Sequence, residues 1–287
     1  MTNTEQRLSY SFSNRYLTNR EAQQMNFEQR VEAGHYRIIN REGQVEVFRP
    51  NEKQRLLMSN QHKRNVIYQS RQYGVSTLML LKMVDMAHYE NKTCRMIAHR
   101  PLSHTLVLSL AIEGVSDVVT NVSATGVTFR GGGSVEITRT VRSTSPSLLF
   151  VEALDYFSKE IQAEILEGAL NAIDPAGSAY LQLSGPLKSD SPFINLVRNS
   201  LPHPQDQSDY KRFFFPWYED ENNAIPRPAD RINEYFELLE KSGVELSSAQ
   251  KKWYMTKCKE RGVDEMEREY PGLFETCLPA SEQNQWA

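Results

Sequence analysis

A short apolar run that leads through a glycine turn into a long apolar helix constrains this chain more than any other feature. RNVIYQS (64–70) has the length and composition of a buried strand, and apolar residues recur at helical spacing in TLMLLKMVDMAHYE (77–90). The segment between them, QSRQYGVST (69–77), has most of a phosphate-binding loop, in which glycine precedes lysine and then serine or threonine. Gly74 fits that pattern, but Val75 occupies the lysine position.

The loop pattern leaves two explanations open. A serine or threonine at the start of a helix is most often an N-cap, and Ser76 and Thr77 fit that role. The alternative is an anion site, because backbone N–H groups at a helix start bind phosphate whatever the side chains are. Arg71, inside the loop, would then supply part of the charge that the lysine brings elsewhere.

The alternation of strands and helices continues along the chain. Apolar runs bounded by turns predict further strands at 94–100, 147–157, 178–186 and 209–220. Helical spacing appears at 103–115 and after Ser158, and GVTFRGGGSVEITRT (126–140) predicts a hairpin. This order predicts an α/β fold with a mostly parallel central sheet flanked by helices, which binds ligands at the carboxyl ends of its strands.

Composition divides the chain into three predicted parts. Residues 1–45 are polar and lack a sustained apolar period, so they are expected to form a loosely attached N-terminal arm. Residues 46–225 hold the alternating strands and helices of the core. From 226 to 287 the chain is highly charged and helical in pattern, which predicts a small C-terminal helical subdomain.

Charge, cysteine usage and hydropathy exclude several classes of protein. The formal net charge of -3 argues against a protein whose whole surface binds nucleic acid. The three cysteines are widely spaced and give neither a disulfide framework nor a zinc pattern. No apolar run approaches transmembrane length and the first residues lack the apolar core of a signal peptide, so a soluble intracellular protein without a membrane partner is expected.

The run SLLFVEALDYF (147–157) ends in acids, as does the central strand of nucleotide-hydrolysing folds. In such folds one acid holds magnesium through water, and a second carboxylate usually positions the attacking water. Glu152 lies at the end of the strand, Ala153 stands where the second acid is expected, and Asp155 follows. An ordinary strand-to-turn transition explains these acids equally well.

FRPNEKQRLLM (48–58) places a glutamine, Gln54, shortly after an aromatic residue and upstream of the loop. A glutamine in this context can read an adenine edge. The residue patterns alone fit a solvated helix position equally well.

The order of these segments resembles the ATPase domain of the large terminase subunit of tailed bacteriophages, the motors that drive viral DNA into preformed capsids. The resemblance rests on five segments in sequence, FRPNEKQ, YQSRQYGVST, RMIAHR, LLFVEALDYF and YLQLSGP. It continues into FFFPWYEDE (213–221) and LSSAQKKWYMTKCKERGVDEMEREYPGLFE (246–275), and so covers roughly residues 46–275. The order and spacing are specific, whereas no single motif suffices.

The resemblance implies roles for individual residues. Gln54 matches the adenine-sensing glutamine, and Arg71 matches an arginine that acts as an internal finger on the γ-phosphate. Ser76 matches the hydroxyl on magnesium, and Glu152 matches the acid that ends the Walker B strand. Ser184, in LSGP, falls in the motif that couples hydrolysis to movement. The implied ATP-binding residues are Gln54, Ser70, Arg71, Gln72, Gly74, Val75, Ser76 and Thr77; the implied magnesium ligands are Ser76 and Glu152, and the implied catalytic residues are Arg71 and Glu152.

The sequence departs from the family pattern at two chemical positions. Val75 replaces the usual lysine, although apolar residues are familiar there in some terminase branches that keep RQ just before it. Ala153 replaces the usual catalytic glutamate if Glu152 is aligned with the aspartate. A shift by one residue instead makes Glu152 the base and Val151 the lost aspartate. In either register one acid of the pair is present, which bears on the rate of hydrolysis more than on the fold.

Large terminases typically add a C-terminal nuclease of ribonuclease H type, which needs three or four convergent acids to bind two metals. After Pro271 only GLFETCLPASEQNQWA remains. No nuclease domain and no DNA cleavage are therefore expected of this chain.

The implied function is an ATP-hydrolysing motor that uses Mg²⁺ and moves double-stranded DNA into a procapsid in the host cell cytoplasm. The implied partners are double-stranded DNA without sequence preference, the portal protein, the small terminase subunit and further copies of the chain in a homo-oligomeric ring on the capsid. The candidate DNA contacts are Lys188, Arg198, Lys211 and Arg212. The alternative is a catalytically weak or inactive terminase-like subunit that binds nucleotide and serves in assembly; a helicase-like ATPase would need helicase motifs that the sequence lacks.

Overall fold

The computed structural model describes residues 19–40, 42–101, 118–140, 145–207, 209–227 and 234–279. The helix predicted at 103–115 lies outside these residues. Within the described chain, no helix is both long enough and apolar enough to cross a bilayer.

The strands form one small and one large sheet. In chain order they are β1 (Arg37–Ile39), β2 (Val45–Val47), β3 (Arg64–Gln69), β4 (Thr93–Ala98), β5 (Val119–Ser123), β6 (Gly126–Phe129), β7 (Ser134–Thr138), β8 (Leu148–Glu152), β9 (Ser178–Leu183) and β10 (Lys211–Phe215). β1 and β2 pair with each other, and the other strands form an eight-stranded sheet in the order β10-β3-β9-β8-β4-β7-β6-β5. The sheet is mostly parallel, so the predicted α/β fold is confirmed.

The helices follow the predicted alternation with the strands. They are α1 (Asn19–Gln23), α2 (Phe27–Glu32), α3 (Glu52–Ser59), α4 (Val75–Tyr89), α5 (Lys159–Glu164), α6 (Ile194–Arg198), α7 (Glu234–Lys241), α8 (Ser248–Arg261) and α9 (Val263–Glu269). Capping boxes begin α3 at Asn51 and α8 at Ser247. In each, the cap side chain accepts the backbone N–H of a glutamine three residues later, and the side chain of that glutamine accepts the backbone N–H of the cap residue.

The chain divides into two compact units. The described residues of 1–60, 74–139 and 145–148 make up the first unit, and those of 61–73, 140–144 and 149–287 make up the second. The boundaries predicted at 45 and 225 from composition remain a prediction.

In the second unit, β3 is paired in parallel with both β9 and β10. Its central residues Val66, Ile67 and Tyr68 are fully buried, as the near-continuous apolar run predicts for a strand covered on both faces. Pro216 follows β10 directly and, having no N–H, cannot extend the ladder. The C-terminal helices α7, α8 and α9 bury an aromatic cluster that comprises Trp217, Phe236, Leu239, Trp253, Tyr254, Met266 and Tyr270.

In the first unit, β4 and β7 are parallel, and β6 and β7 form the predicted antiparallel hairpin. The expected loose attachment of residues 1–45 does not hold for their described helical part. Phe27 and Val31 of α2 are buried, and Arg30 forms a buried ion pair with Asp85 of α4. This part of the sequence is polar, but its few apolar residues lie on one side of a short helix, which composition averages conceal.

Candidate functional site

The helix start in the first unit has the shape of a phosphate-binding loop. α4 begins directly after Gly74, whose φ of 70° lies in the left-handed region. The positive φ favours glycine here, and a Cβ at this position would lie 2.8 Å from Gln54 Nε2 and so displace that amide. The N–H groups of the first turn of this fifteen-residue helix carry the positive end of its dipole.

The hydroxyl residues of the loop are helical and are not N-caps. Ser76 and Thr77 are the second and third residues of α4, and both are half-buried. The N-cap is Gly74, so the capping explanation of these hydroxyls is wrong. Val75 is completely buried, which makes the residue at the lysine position part of the core.

Gln54 connects α3 to the loop. Its Oε1 accepts the N–H of Asn51 at 2.9 Å, and its Nε2 donates to the carbonyl oxygen of Gly74 at 2.8 Å. The side chain is therefore fixed at the loop and nearly inaccessible. Adenine recognition by Gln54 stays a prediction, and the observed contacts assign it a part in holding the turn at Gly74.

In the second unit, the first half of the loop is anchored at three points. Ser70 N donates to Phe215 O at 2.9 Å, and Arg71 N donates to Glu269 O at 3.1 Å. The hydroxyl of Tyr73 donates to Pro216 O at 2.6 Å. These bonds attach the loop to the end of β10 and to the last residue of α9.

The remaining loop residues differ in exposure. Ser70 is completely buried, and among the described residues its hydroxyl has no hydrogen-bond partner. Gln72 is exposed and has a φ of 73°, which is uncommon for a residue other than glycine. Left-handed backbone at Gln72 and at Gly74 makes this loop a sharp double turn.

The side chain of Arg71 is paired with carboxylates of α9. Its Nη1 contacts Glu269 Oε2 and lies 3.9 Å from Glu265 Oε1. The Arg71 side chain is 46% exposed, whereas that of Glu269 is only 9% exposed. The hydroxyl of Tyr156 donates to Glu269 Oε1 at 3.1 Å, and Arg268 Nη2 donates to the same oxygen at 3.2 Å.

The end of β8 provides two acids in different surroundings. Glu152 is the last residue of the strand and is half-buried. Ala153 follows with a φ of 52°, and its N–H donates to Gln182 Oε1 at 3.4 Å. Asp155 is buried, and its Oδ1 accepts the N–H of Ser184 at 2.8 Å.

Burial raises the pKa of Asp155 to about 6 because the charged form loses its hydration. Backbone N–H groups, that of Ser184 foremost, oppose this shift by bonding to the carboxylate, and the charge of Glu269 adds to it. Gly185 lies against this carboxyl, since a Cβ there would be 3.2 Å from Asp155 Oδ2 and 2.8 Å from Arg268 Cγ. The turn after β9 is thus held by the turn after β8.

Ser184 lies in that contact through its backbone and its side chain. Its N–H binds Asp155, and its Oγ accepts from Gln182 Nε2 at 3.0 Å. Because Gln182 also contacts the N–H of Ala153, one glutamine links the ends of β8 and β9.

The candidate DNA contacts lie in the second unit. Lys188 is exposed, whereas Arg198, Lys211 and Arg212 are half-buried. The guanidinium of Arg212 lies 4.4 Å from the centre of the Phe274 ring, so one face of this guanidinium is covered by the ring. Among the described residues, no group of three or more His, Cys, Asp or Glu side chains is placed to hold a metal ion.

Sequence reasoning missed three residues of this region, namely Tyr156, Gln182 and Glu269. Gln182 lies in YLQLSGP and Glu269 in EREYP, segments that carry the family resemblance without an assigned role. Their position in these segments was the available signal. Their contacts depend on chain segments that are far apart in sequence, so no local pattern identifies them.

No family model matches this sequence, and no curated protein matches it either. Solved structures do match the fold. The large terminase ATPase domain of Thermus phage P74-26 is similar with a TM-score of 0.51 at 12% sequence identity, over 79% of this chain and 94% of that one. The large terminase of bacteriophage HK97 is similar with a TM-score of 0.53 at 13% identity, over 86% of this chain and 55% of that one. The fold is therefore that of phage large-terminase ATPase domains, which is the P-loop type expected from the sequence.

Proposed function

We propose that this chain, which shares the fold of phage large-terminase ATPase domains, is a motor that hydrolyses ATP with Mg²⁺ to move double-stranded DNA into a procapsid. The observation that carries the proposal is the loop at 70–77. Left-handed backbone at Gly74 starts α4 with its N–H groups unoccupied by a side-chain cap, and Arg71 lies half exposed in the same loop.

The loop would bind the phosphates of ATP without a lysine. The N–H groups at the start of α4 provide an anion site by their orientation and the helix dipole. Arg71 adds a permanent positive charge with planar, paired donors that suit phosphate oxygens. Charge that develops on the transferred phosphoryl group would be offset by the same guanidinium.

Magnesium would be held by the hydroxyl of Ser76 and, through water, by the carboxylate of Glu152. These are oxygen donors, the kind that this ion prefers. The ion, when bound, neutralises charge on the phosphates. Glu152 would also orient the attacking water, because no acid stands at the next position, where Ala153 lies.

Coupling of hydrolysis to movement would pass through the contact between Asp155 and Ser184. This contact joins the turn that follows the acid-bearing strand to the turn that follows β9. A shift at the end of β8 would therefore be transmitted to residues 184–187 through a buried, hydrogen-bonded carboxylate.

The experiment that tests the proposal is steady-state ATP hydrolysis by the isolated chain, with magnesium and with a chelator. We expect turnover that requires the ion, and an increase when duplex DNA and the packaging partners are added. Nucleotide binding with no turnover under any of these conditions would contradict the motor and support the assembly subunit. That alternative is favoured by the buried Val75 at the lysine position and by Ala153 in place of a second acid.

DNA would be bound weakly by one copy and more firmly by a ring of copies. The formal net charge of -3 gives a single chain little general attraction for DNA, whereas several copies around one duplex gain from effective concentration. Phosphate contacts carry no sequence information and weaken steeply with salt. Fluorescence anisotropy with two unrelated duplexes at low and moderate salt should therefore show weak, salt-sensitive and equal binding; tight or sequence-selective binding by the isolated chain would contradict the proposal.

A further inference from the structure

We infer that Glu269 is the positioning residue for Arg71 and sets the direction in which its guanidinium meets the phosphates. The inference rests on the proposed ATPase function. It assigns a role in the nucleotide site to α9, a C-terminal helix that the sequence placed in a separate subdomain.

Arg71 is held by Glu269 at both ends of the residue. The backbone N–H of Arg71 donates to the carbonyl oxygen of Glu269 at 3.1 Å, and Nη1 contacts the carboxylate of the same residue. One residue thus fixes the start of the arginine side chain and one edge of its guanidinium. A side chain with four rotatable bonds would otherwise sample many directions.

The carboxylate that holds Arg71 is itself fixed. The Glu269 side chain is 9% exposed, and its Oε1 accepts from Tyr156 at 3.1 Å and from Arg268 at 3.2 Å. Tyr156 belongs to the turn that follows β8. The carboxylate therefore has a defined place relative to the strand whose last residue, Glu152, is the proposed catalytic acid.

Part of the guanidinium remains available to a ligand. The ion-pair contacts of Arg71 are made by Nη1, no hydrogen bond from Nε or Nη2 to the described residues is found, and 46% of the side chain is exposed. An arginine offers five donors in a rigid plane, so fixing one nitrogen fixes the direction of the others. Nε and Nη2, for which the described residues provide no partner, would be directed at phosphate oxygens. In protein kinases an ion pair to a glutamate serves the same purpose for the phosphate-binding lysine.

A structural role of Glu269 that does not act through Arg71, such as holding Tyr156 and Arg268 in place, would behave differently. It would stabilise the protein, and its loss would lower activity by the same factor whether or not Arg71 is present. A positioning residue acts only through the group that it positions. Double-mutant cycles separate these cases, because two residues that act through one another are not additive.

The experiment measures kcat/KM for MgATP in a cycle of Glu269→Gln and Arg71→Ala, with the equilibrium affinity for MgATP measured calorimetrically. Glutamine keeps an acceptor for Tyr156 and Arg268 but removes the charge that holds Arg71. We expect kcat/KM to fall about tenfold or more in Glu269→Gln alone, the scale expected of a misaligned catalytic group. In the Arg71→Ala background the same substitution should change kcat/KM by less than about twofold, the residual expected when two groups act through one another.

Two further variants keep the test decisive. Glu267→Gln makes the same chemical change at an exposed position of the same helix and should leave kcat/KM unchanged. Tyr156→Phe removes a single hydrogen bond to the Glu269 carboxylate, so it should lower kcat/KM only when Arg71 is present. This variant replaces Glu269→Gln in the cycle if Glu269→Gln does not fold. Equal losses in both backgrounds would overturn the role of Glu269 while leaving the proposed function intact. No detectable MgATP binding by the wild-type chain would overturn both.

Discussion

Two arginine–carboxylate pairs in this molecule have the same chemistry in opposite surroundings. In the first unit Arg30 is paired with Asp85, and the two side chains are 3% and 0% exposed. In the second unit Arg71 is paired with Glu269 and is 46% exposed. The comparison indicates that an arginine paired with a carboxylate is structural or available for binding according to how many of its donors the protein uses.

All three guanidinium nitrogens of Arg30 are occupied. Nε and Nη2 donate to the two oxygens of Asp85, the latter at 2.8 Å, and Nη1 donates to Ala22 O at 2.7 Å. Its guanidinium also lies 4.0 Å from the centre of the Tyr89 ring. The ion-pair contacts of Arg71 are made by Nη1, so the donors Nε and Nη2 are the ones a phosphate would meet.

The largest expected effect is on the buried pair. Arg30→Met removes one partner and leaves the Asp85 carboxylate buried and uncompensated, which should lower the free energy of unfolding by about 3–5 kcal/mol. Urea denaturation of the wild type and the variant would measure it. A loss below about 1 kcal/mol, the range of exposed pairs, would show that the Arg30 pair is no more structural than a surface pair.

The next effect concerns the acid at the end of β8 in the second unit. Glu152→Gln keeps the shape and removes the charge, so ATP hydrolysis should fall by at least about a hundredfold, the scale of a lost general base or charge stabiliser. The matched control is Asp155→Asn, since Asp155 is bound by the Ser184 backbone and is more deeply buried. Full activity of Glu152→Gln beside an inactive Asp155→Asn would show that the acids have been assigned the wrong way round.

Asp155 should also give this region a pH dependence. Its pKa is about 6 in the folded protein against an ordinary value of 3.8, so the folded state binds more protons than the unfolded state between these values. Stability from this group is therefore fully present below about pH 4 and is lost as the pH rises through about 6, by about 3 kcal/mol in total. The difference in unfolding free energy between wild type and Asp155→Asn, measured from pH 4 to pH 7, should show this slope; a flat difference would contradict it.

Near the buried Arg30–Asp85 pair, His35 should make the stability of the protein depend on pH in the opposite sense. Burial lowers the pKa of His35 to about 4, and the nearby charges of Arg30 and His88 add to the shift. Stability from His35 is therefore present above about pH 6.5 and is lost as the pH falls through about 4. The free energy of unfolding of His35→Gln should depend less on pH than that of the wild type over this range. The same acid dependence in both proteins would show that His35 is not its cause.

The smallest expected effect is on the stability of the half-exposed pair. Arg71→Ala should lower the free energy of unfolding by no more than about 1 kcal/mol, because the arginine is well solvated and its pairing is screened. The same denaturation experiment as for Arg30→Met makes the comparison direct. Equal losses of unfolding free energy in Arg71→Ala and Arg30→Met would mean that exposure does not distinguish an arginine with a structural role from one available to a ligand.

The sequence was sufficient for elements with strong local signals. The strand at 64–70, the helix that follows, and the hairpin at 126–140 were predicted because apolar period and glycine turns are local properties. β1, β2 and β5 were not predicted, because these strands have only three to five residues, too few for a periodic pattern to stand out, and they are partly or fully exposed. The contact of Arg71 with Glu269 could not be predicted, since it depends on how α9 returns to the loop.

The measurement that tests the account most directly is steady-state ATP hydrolysis by wild type and Arg71→Ala, with unfolding free energies measured on the same preparations. If Arg71 replaces the missing lysine, the wild type hydrolyses ATP with magnesium. Arg71→Ala then loses at least about a hundredfold in kcat/KM. Its free energy of unfolding changes by no more than about 1 kcal/mol. Hydrolysis by Arg71→Ala within twofold of the wild type, with nucleotide affinity unchanged, would show that the arginine is not the substitute cation.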